Sequence, residues 1–140
     1  MTFALPDTEF GANASRHLSD DVVAWLTVVD PSGTPQPAPV WFLWDGSSIL
    51  VYSHGEAKRL GHLRRNPHVA VHFDSEGDGA HIVVLTGDAT IEEDISPVHE
   101  NPDYLAKYGE RITDGWGSAE RFASIYSVPV RIRPRRVRGY

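Results

Sequence analysis

Residues 34–67 read TPQPAPVWFLWDGSSILVYSHGEAKRLGHLRRNP, and this stretch decides the predicted fold. The apolar run 38–44 and the β-type run 49–53 flank Asp45-Gly46, a strong signal for a two-residue hairpin turn. Glu56 to Asn66 has the spacing of a helix and stops before a proline, which cannot continue one. We therefore predict a β-hairpin followed directly by a short helix.

The rest of the chain adds more strands than helices. Further β-type runs cover residues 22–29, 68–73, 81–91 and the stretch from 128, and helical patterns cover 101–113 and 118–126. Because strands and helices do not alternate strictly, we predict a mainly β fold: a six-stranded antiparallel barrel with a few short helices. Gly87 lies inside one predicted strand and suggests a β-bulge. We expect a single domain over residues 1–140, with a loose N-terminal arm over 1–14.

Composition excludes several kinds of chemistry. The chain has no cysteine, so disulfides, thiol nucleophiles and iron–sulfur clusters are excluded. The N-terminus carries no secretory signal pattern, and no apolar run reaches the length of a membrane span. We therefore expect a cytoplasmic protein that does not enter a membrane.

The last ten residues, RIRPRRVRGY, contain five arginines in a chain whose net charge is −6. Such a basic tail can indicate nucleic-acid binding. However, Val128, Val130 and Ile132 alternate with polar or proline positions, as in a half-buried strand with a solvated face. We favour the strand and expect no nucleic-acid partner.

The predicted helix 56–66 carries a basic face. Arg59, His62 and Arg65 are spaced three residues apart and share one side, with Lys58 next to them. A phosphate near the start of this helix would meet free backbone N–H groups and either Lys58 or Arg59. The alternative interpretation is a solvated basic helix face, and the pattern alone favours neither.

The segment from Pro39 to Trp44 is apolar on both faces, so both faces need cover. One face can cover the barrel core, and the other requires a helix, a second subunit or a planar ligand. Tyr52 on the following strand adds an aromatic wall. A plain aromatic homodimer interface is the alternative, and it is compatible with a ligand bound between subunits.

Other motifs predict little chemistry. His68 and His72 share a strand face but lie too far apart to chelate easily, so we expect no metal site. No Gly-x-Ser-x-Gly motif is present, which leaves hydrolase chemistry unsupported. Trp116 lies in a glycine-flanked segment and either caps a pocket or belongs to a small secondary core.

The segments TPQPAPVWFLWDG, SILVYS, KRLGHLRRNPHVAVHFD, HIVVLTGDATI and YSVPVRIRPRRVRGY, in this order, resemble the pyridoxamine 5′-phosphate oxidase-like split β-barrel proteins. They are most similar to the actinobacterial branch that uses the deazaflavin coenzyme F420. The resemblance runs from about Phe10 to Tyr140. It implies an FMN-binding type of split barrel, a homodimer with the cofactor in a groove between subunits, and a small-molecule substrate.

The resemblance also implies the residues of the site. The cofactor-binding residues expected from it are Pro39, Val40, Trp41, Phe42, Tyr52, Ser53, Lys58, Arg59, His62 and Asn66. The usual family lysine falls on Arg59, with Lys58 one residue earlier, and both remain candidates for the phosphate contact. The implied activity is hydride transfer between reduced F420 and an unsaturated or carbonyl-type substrate.

No residue is assigned as the catalytic group at this stage. Tyr52, His62 and His72 are proton-donor candidates only if they face the groove. Two alternatives to an F420-dependent reductase stay open. One is an FMN-binding flavoprotein on the same fold, and the other is a dimer that binds or stores F420 without turnover.

Overall fold

A computed structural model describes residues 3–140 of the chain. The strands are β1 (Ala24–Val29), β2 (Pro35–Val40), β3 (Leu43–Trp44), β4 (Ile49–Ser53), β5 (His68–His72), β6 (Val83–Ile91) and β7 (Val128–Gly139). The helices are α1 (Glu9–Asp20), α2 (Arg59–Arg65), α3 (Pro102–Trp116) and α4 (Ala119–Ile125), with a 3₁₀ turn at Val98–Glu100.

All the strands belong to one antiparallel sheet with the order β2-β1-β5-β6-β7-β4-β3. The strands at its two edges, β2 and β3, are joined directly by Trp41 and Phe42. Three Cα–Cα steps span at most about 11 Å, so the two edges must lie close together and the sheet must curl. The predicted mainly β, antiparallel split barrel is therefore confirmed.

The predicted strand count is wrong, because residues 3–140 form seven strands rather than six. The run 38–44 was expected to be one strand, but it divides into β2 and β3 on either side of Trp41-Phe42. At Phe42 the backbone N–H donates to the Tyr108 hydroxyl at 2.9 Å instead of to a strand. A side chain from α3 thus takes the place of a ladder partner, and the chain passes from one sheet edge to the other.

The hairpin between β3 and β4 forms where predicted, but its loop is longer. Trp44 pairs with Ile49, so four residues rather than two make the connection. The Asp45 side chain accepts hydrogen bonds from the backbone N–H groups of Ser47 at 2.9 Å and Ser48 at 2.6 Å. This Asx-type turn stabilises the wider loop.

The loose arm predicted over residues 1–14 is contradicted from Glu9 onward, where α1 begins. The Thr8 side chain caps this helix by accepting from Gly11 N at 3.1 Å. Ala14 and Leu18 are fully buried in the barrel core. Because these side chains fill one end of the barrel, α1 is part of the packed fold, whereas Met1 and Thr2 lie outside the described residues.

Two hydrophobic clusters flank β4, whose five residues are all buried. The larger cluster fills the barrel and includes Phe42, Ile49 and Val51. The second lies between the outer face of β4 and the helices α3 and α4, and includes Leu50 and Tyr52. The α3–α4 hairpin therefore covers one side of the barrel wall, and the site forms beside it.

The predicted bulge at Gly87 is confirmed by a register shift between Thr86 and Gly87 in the β6–β7 ladder. A Cβ atom on Gly87 would lie 2.2 Å from the carbonyl oxygen of Arg133, so only glycine fits. The basic C-terminal run forms β7, as expected. Within residues 3–140, no helix is long and apolar enough to cross a membrane.

Candidate functional site

A cavity of about 340 Å³ opens between the β2–β3 crossover, β4 and the α3–α4 hairpin. Its walls are mostly aromatic and aliphatic. The lining residues are Val23, Pro39, Val40, Trp41, Val51, Tyr52, Ser53, His54, Arg59, Tyr104, Trp116, Phe122 and Tyr126. Six of the ten residues predicted from the sequence are among them: Pro39, Val40, Trp41, Tyr52, Ser53 and Arg59. We call this space the aromatic cavity.

Trp41 stands at the centre of one wall. Its ring stacks on Tyr108 with centroids 4.7 Å apart and on Phe122 at 5.7 Å. Trp116 meets Trp41 edge-on at 5.8 Å and Phe122 edge-on at 4.8 Å. These contacts fix the ring within its own chain, and they place Trp116 in the cavity wall as well as in the second hydrophobic cluster.

Tyr52 contributes its ring to the aromatic cavity, but its hydroxyl has structural partners. The hydroxyl donates to Ser96 O at 2.6 Å and accepts from Asn101 Nδ2 at 3.0 Å. Burial raises the pKa of Tyr52, so the phenol stays protonated. Because both hydrogen bonds hold the segment before α3, Tyr52 is a poor proton donor for a ligand.

The two histidines considered as proton donors lie elsewhere. His62 does not line the aromatic cavity but a neighbouring one. His72 stacks on Trp25 with centroids 6.4 Å apart, among the residues of the β1–β5 pair. Neither imidazole faces the aromatic cavity, so neither serves as a donor within it.

Tyr104 differs from Tyr52 because its hydroxyl makes no hydrogen bond to any of the residues that the structure describes. The residue is 1% exposed and lines the aromatic cavity. Its ring is held edge-on by Tyr52 at 4.9 Å and at a tilt by Tyr108 at 4.8 Å. Burial raises the pKa of Tyr104 well above its ordinary value. The result is a fixed, neutral phenol at the cavity wall.

Arg59 marks the polar end of the cavity. It also lines a second cavity of about 550 Å³, together with Lys58 and His62. Arg59 is half-buried whereas Lys58 is exposed, and burial lowers the pKa of Arg59. A guanidinium remains charged even so. Arg59 is thus the cation that reaches both cavities, while Lys58 and His62 reach only the second.

The second cavity also contains an acid. Asp30 lines it, but this carboxylate accepts hydrogen bonds from Ser32, Thr34 and Gln36 within its own turn. The Ser32 hydroxyl and these other donors lower the pKa of Asp30 to about 2. The second cavity is therefore mixed in charge, with its cations on α2 and its anion on the β1–β2 turn.

Two predicted cofactor residues lie outside both cavities. Phe42 is fully buried in the barrel core, and the Lys107 ammonium lies 3.7 Å from its ring centroid. Asn66 follows the end of α2, where its side-chain oxygen accepts from His68 N at 3.1 Å. Phe42 points inward because side chains alternate along an extended segment whose neighbour Trp41 points outward. Neither side chain lines either cavity.

Several lining residues were not predicted from the sequence. His54, Tyr104, Phe122 and Tyr126 line the cavity but carried no motif. Phe122 and Tyr126 are four residues apart, and their rings stack at 4.5 Å. The apolar spacing of Tyr104, Tyr108 and Ile112 was a signal for a buried helix face. It gave no sign that this face borders a cavity.

Comparison with known proteins identifies the family. Residues 12–139 match the pyridoxamine 5′-phosphate oxidase family, so the chain belongs to it. A comparison with curated proteins finds no match.

Solved structures share the fold. A Listeria innocua protein described as a candidate pyridoxamine 5′-phosphate oxidase is 27% identical, covering 91% of each chain, with a TM-score of 0.61. An F420 reductase is 23% identical, covering 86% of this chain and 92% of its own, with a TM-score of 0.62. The heme storage protein of Vibrio cholerae is 12% identical, covering 94% and 95%, with a TM-score of 0.64.

Proposed function

We propose that this protein is an oxidoreductase of the actinobacterial F420-dependent branch of the family. It transfers a hydride between reduced deazaflavin F420 and a small unsaturated or carbonyl-type organic substrate. One observation carries the proposal. A single cavity is lined by six of the residues predicted from the sequence to bind the cofactor: Pro39, Val40, Trp41, Tyr52, Ser53 and Arg59. The F420 reductase among the structural neighbours is consistent with it.

The cavity fits the ring of such a cofactor. Its volume of about 340 Å³ lies within the usual range of small-molecule sites. The Trp41 and Phe122 rings, which stack with centroids 5.7 Å apart, give the cavity an aromatic wall that suits a planar conjugated ligand. The phenol of Tyr104, which has no hydrogen-bond partner within residues 3–140, offers the ligand a polar contact.

The phosphate contact is assigned to Arg59, with Lys58 and His62 farther along the second cavity. Arg59 lies where the two cavities meet, so a ligand with a ring in one and a charged tail in the other passes it. Its planar guanidinium can bond two phosphate oxygens at once. Burial strengthens such a charge-assisted bond because less water competes for it.

When bound, the deazaflavin supplies the hydride chemistry. The protein's own contribution is placement and desolvation. Trp41 and the α3–α4 aromatic residues fix the plane of the ring and exclude water from it. Arg59 sets the direction of the tail. No side chain is assigned as the catalytic acid of the reaction.

The proposal includes a cytoplasmic homodimer with the groove between subunits. Strand β2, at the sheet edge beside the cavity, is largely exposed, with Pro35, Gln36, Pro37 and Pro39 open to solvent. Val23, which lines the cavity, is 37% exposed and is one of two exposed large apolar side chains among residues 3–140. A second subunit across this edge would complete the site. Light scattering on the purified protein tests the dimer.

Side-by-side titrations with F420 and FMN test the cofactor. We expect F420 to bind more tightly than FMN, with quenching of tryptophan fluorescence from Trp41 and Trp116. If FMN binds more tightly, or copurifies as a yellow chromophore, the protein is a flavoprotein instead. Stopped-flow oxidation of reduced F420 with enones and quinones then separates an enzyme from a storage protein, which binds tightly without turnover.

A further inference from the structure

The phenol of Tyr104 lies on the wall of the aromatic cavity. Its residue is 1% exposed, and within residues 3–140 its hydroxyl makes no hydrogen bond but is not fully enclosed. Neighbouring Tyr52 and Tyr108 both have bonded hydroxyls. A polar group that faces a cavity without a protein partner is available to a bound ligand. The Tyr104 hydroxyl can therefore bond a molecule bound in the cavity.

The ring of Tyr104 has little freedom to turn away. Tyr52 packs against it edge-on and Tyr108 packs against it at a tilt, and Tyr52 is anchored through its own hydroxyl to Ser96 and Asn101. The Asn101 side chain also accepts from Tyr104 N at 3.2 Å, which fixes the backbone at the start of α3. Tyr104 thus presents its O–H from a rigid position.

Tyr104 also stays a donor at every pH at which the protein is used. Burial is the main cause that raises its pKa, and the nearby Tyr108 and Tyr52 phenols add to the effect. A neutral phenol donates one hydrogen bond and carries no charge. In an apolar cavity an ion is costly to desolvate, so the acceptor expected for this donor is a neutral one, such as the carbonyl oxygen of a conjugated ring.

We propose that Tyr104 is the hydrogen-bond donor that recognises a carbonyl oxygen of the ligand in the aromatic cavity. The chemical class of that ligand is a flat, uncharged, conjugated cyclic carbonyl compound. The inference deepens the proposed function, on which it rests only for the identity of the ring. The carbonyl belongs either to the cofactor ring or to an organic acceptor bound against it.

The test compares two phosphate-free probes of the same three-ring size. Anthraquinone carries two ring carbonyl groups, and anthracene carries no hydrogen-bonding group. We expect the wild-type protein to bind anthraquinone at least about tenfold more tightly than anthracene, the value of one hydrogen bond in a dry site. In Tyr104→Phe, which keeps the ring and removes one oxygen atom, this preference falls to about one. Tyr140→Phe, which removes an exposed hydroxyl that donates to Gly79 O at 2.9 Å outside the cavity, is the matched control.

Thermal unfolding distinguishes ligand recognition from a structural role. Because the Tyr104 hydroxyl has no protein partner, Tyr104→Phe should melt at the same temperature as the wild type or higher. A melting temperature several degrees lower would show that the hydroxyl has a structural partner and would overturn the proposal. Equal binding of the two probes by the wild type would overturn it as well, and so would a preference that survives in Tyr104→Phe.

Titrations with F420 and FMN on the same preparations separate this inference from the proposed function. A preference for anthraquinone without binding of either cofactor would sink the proposed function and leave the role of Tyr104 intact. Cofactor binding without any carbonyl preference would support the proposed function and overturn the role of Tyr104. Displacement of anthraquinone by F420 assigns the carbonyl to the cofactor ring, and simultaneous binding assigns it to the acceptor. Either of these results supports Tyr104 as the donor.

Discussion

The hydroxyl of Tyr108 holds the backbone of Phe42 from the opposite side of the barrel wall. It accepts from Phe42 N at 2.9 Å and lies 3.0 Å from Phe42 O and 2.7 Å from Val22 O, either of which takes its proton. The same ring stacks on Trp41. One side chain of α3 thus replaces strand pairing at the crossover and supports the wall of the aromatic cavity.

Tyr108→Phe should therefore affect stability and binding together. The variant leaves the buried N–H of Phe42 without a partner, which costs about 1–3 kcal/mol of unfolding free energy. Ligand affinity should fall with it, because Trp41 loses its fixed position. Urea unfolding and F420 titration measure the two effects. Tyr140→Phe is the control, and a Tyr108→Phe protein of unchanged stability would contradict the assignment.

Arg59 and Lys58 can be separated by single substitutions. Arg59→Ala should weaken F420 binding by about 1.5–3 kcal/mol, the value of hydrogen bonds to a charged group. Lys58→Ala should change it by less than about 1 kcal/mol, because that side chain is exposed. Arg59→Lys keeps the positive charge but loses the forked guanidinium group. Its affinity for F420 should therefore lie between those of Arg59→Ala and Lys58→Ala. A larger loss in Lys58→Ala would reverse the assignment.

Lys107 should make stability depend on pH in the alkaline range. Burial lowers its pKa to about 8, against the opposing effect of Asp21 and Asp20. Between that value and the ordinary lysine pKa, the unfolded chain binds the proton and the folded chain does not. The contribution of Lys107 to the unfolding free energy therefore rises with pH between these two pKa values.

Lys107→Met removes that contribution and is the variant to compare. Urea unfolding of both proteins at several pH values from 7 to 11 should show the wild type gaining relative to Lys107→Met above about pH 8. The difference in unfolding free energy between the wild type and Lys107→Met could instead stay constant with pH or shrink. That result would mean that the Lys107 ammonium is not disfavoured in the folded state.

Glycine substitutions test the bulge in β6. Gly87→Ala places a Cβ atom 2.2 Å from Arg133 O and 2.8 Å from Pro134 Cα, so the β6–β7 ladder must open, at a cost of about 3 kcal/mol or more. Gly61→Ala, in α2 with nothing within 4 Å, should stabilise by about 0.5–1 kcal/mol. Chemical denaturation measures both, and equal midpoints for the two variants would be inconsistent with the bulge.

Local signals predicted the parts of the fold that depend on local chemistry. The sequence indicated three such features: the end of α2 before Pro67, the hairpin around Asp45-Gly46 and the bulge at Gly87. The basic run was correctly placed in β7, because Val130 and Ile132 alternate with arginines. These features follow from turn preferences and from the two-residue period of a strand.

Features that depend on distant contacts could not be predicted. The break at Trp41-Phe42 is set by a hydroxyl 66 residues away in the chain. No feature of the sequence near Phe42 indicates this break. Likewise, Phe122 and Tyr126 looked like ordinary apolar positions of a short helix. Only the packing of α4 against Trp41 turns them into the wall of a site.

The crossover between β2 and β3 has a consequence for the order in which the protein folds. The hairpins of the sheet form from neighbouring segments, which need little loop closure. The wall at Trp41, by contrast, is fixed only after residues 102–116 have been synthesised and have packed against it. We therefore expect the Phe42 amide to become protected from hydrogen exchange late in folding, together with the amides of α3. A chain cut before α3 would keep its hairpin sequences but would have no binding cavity.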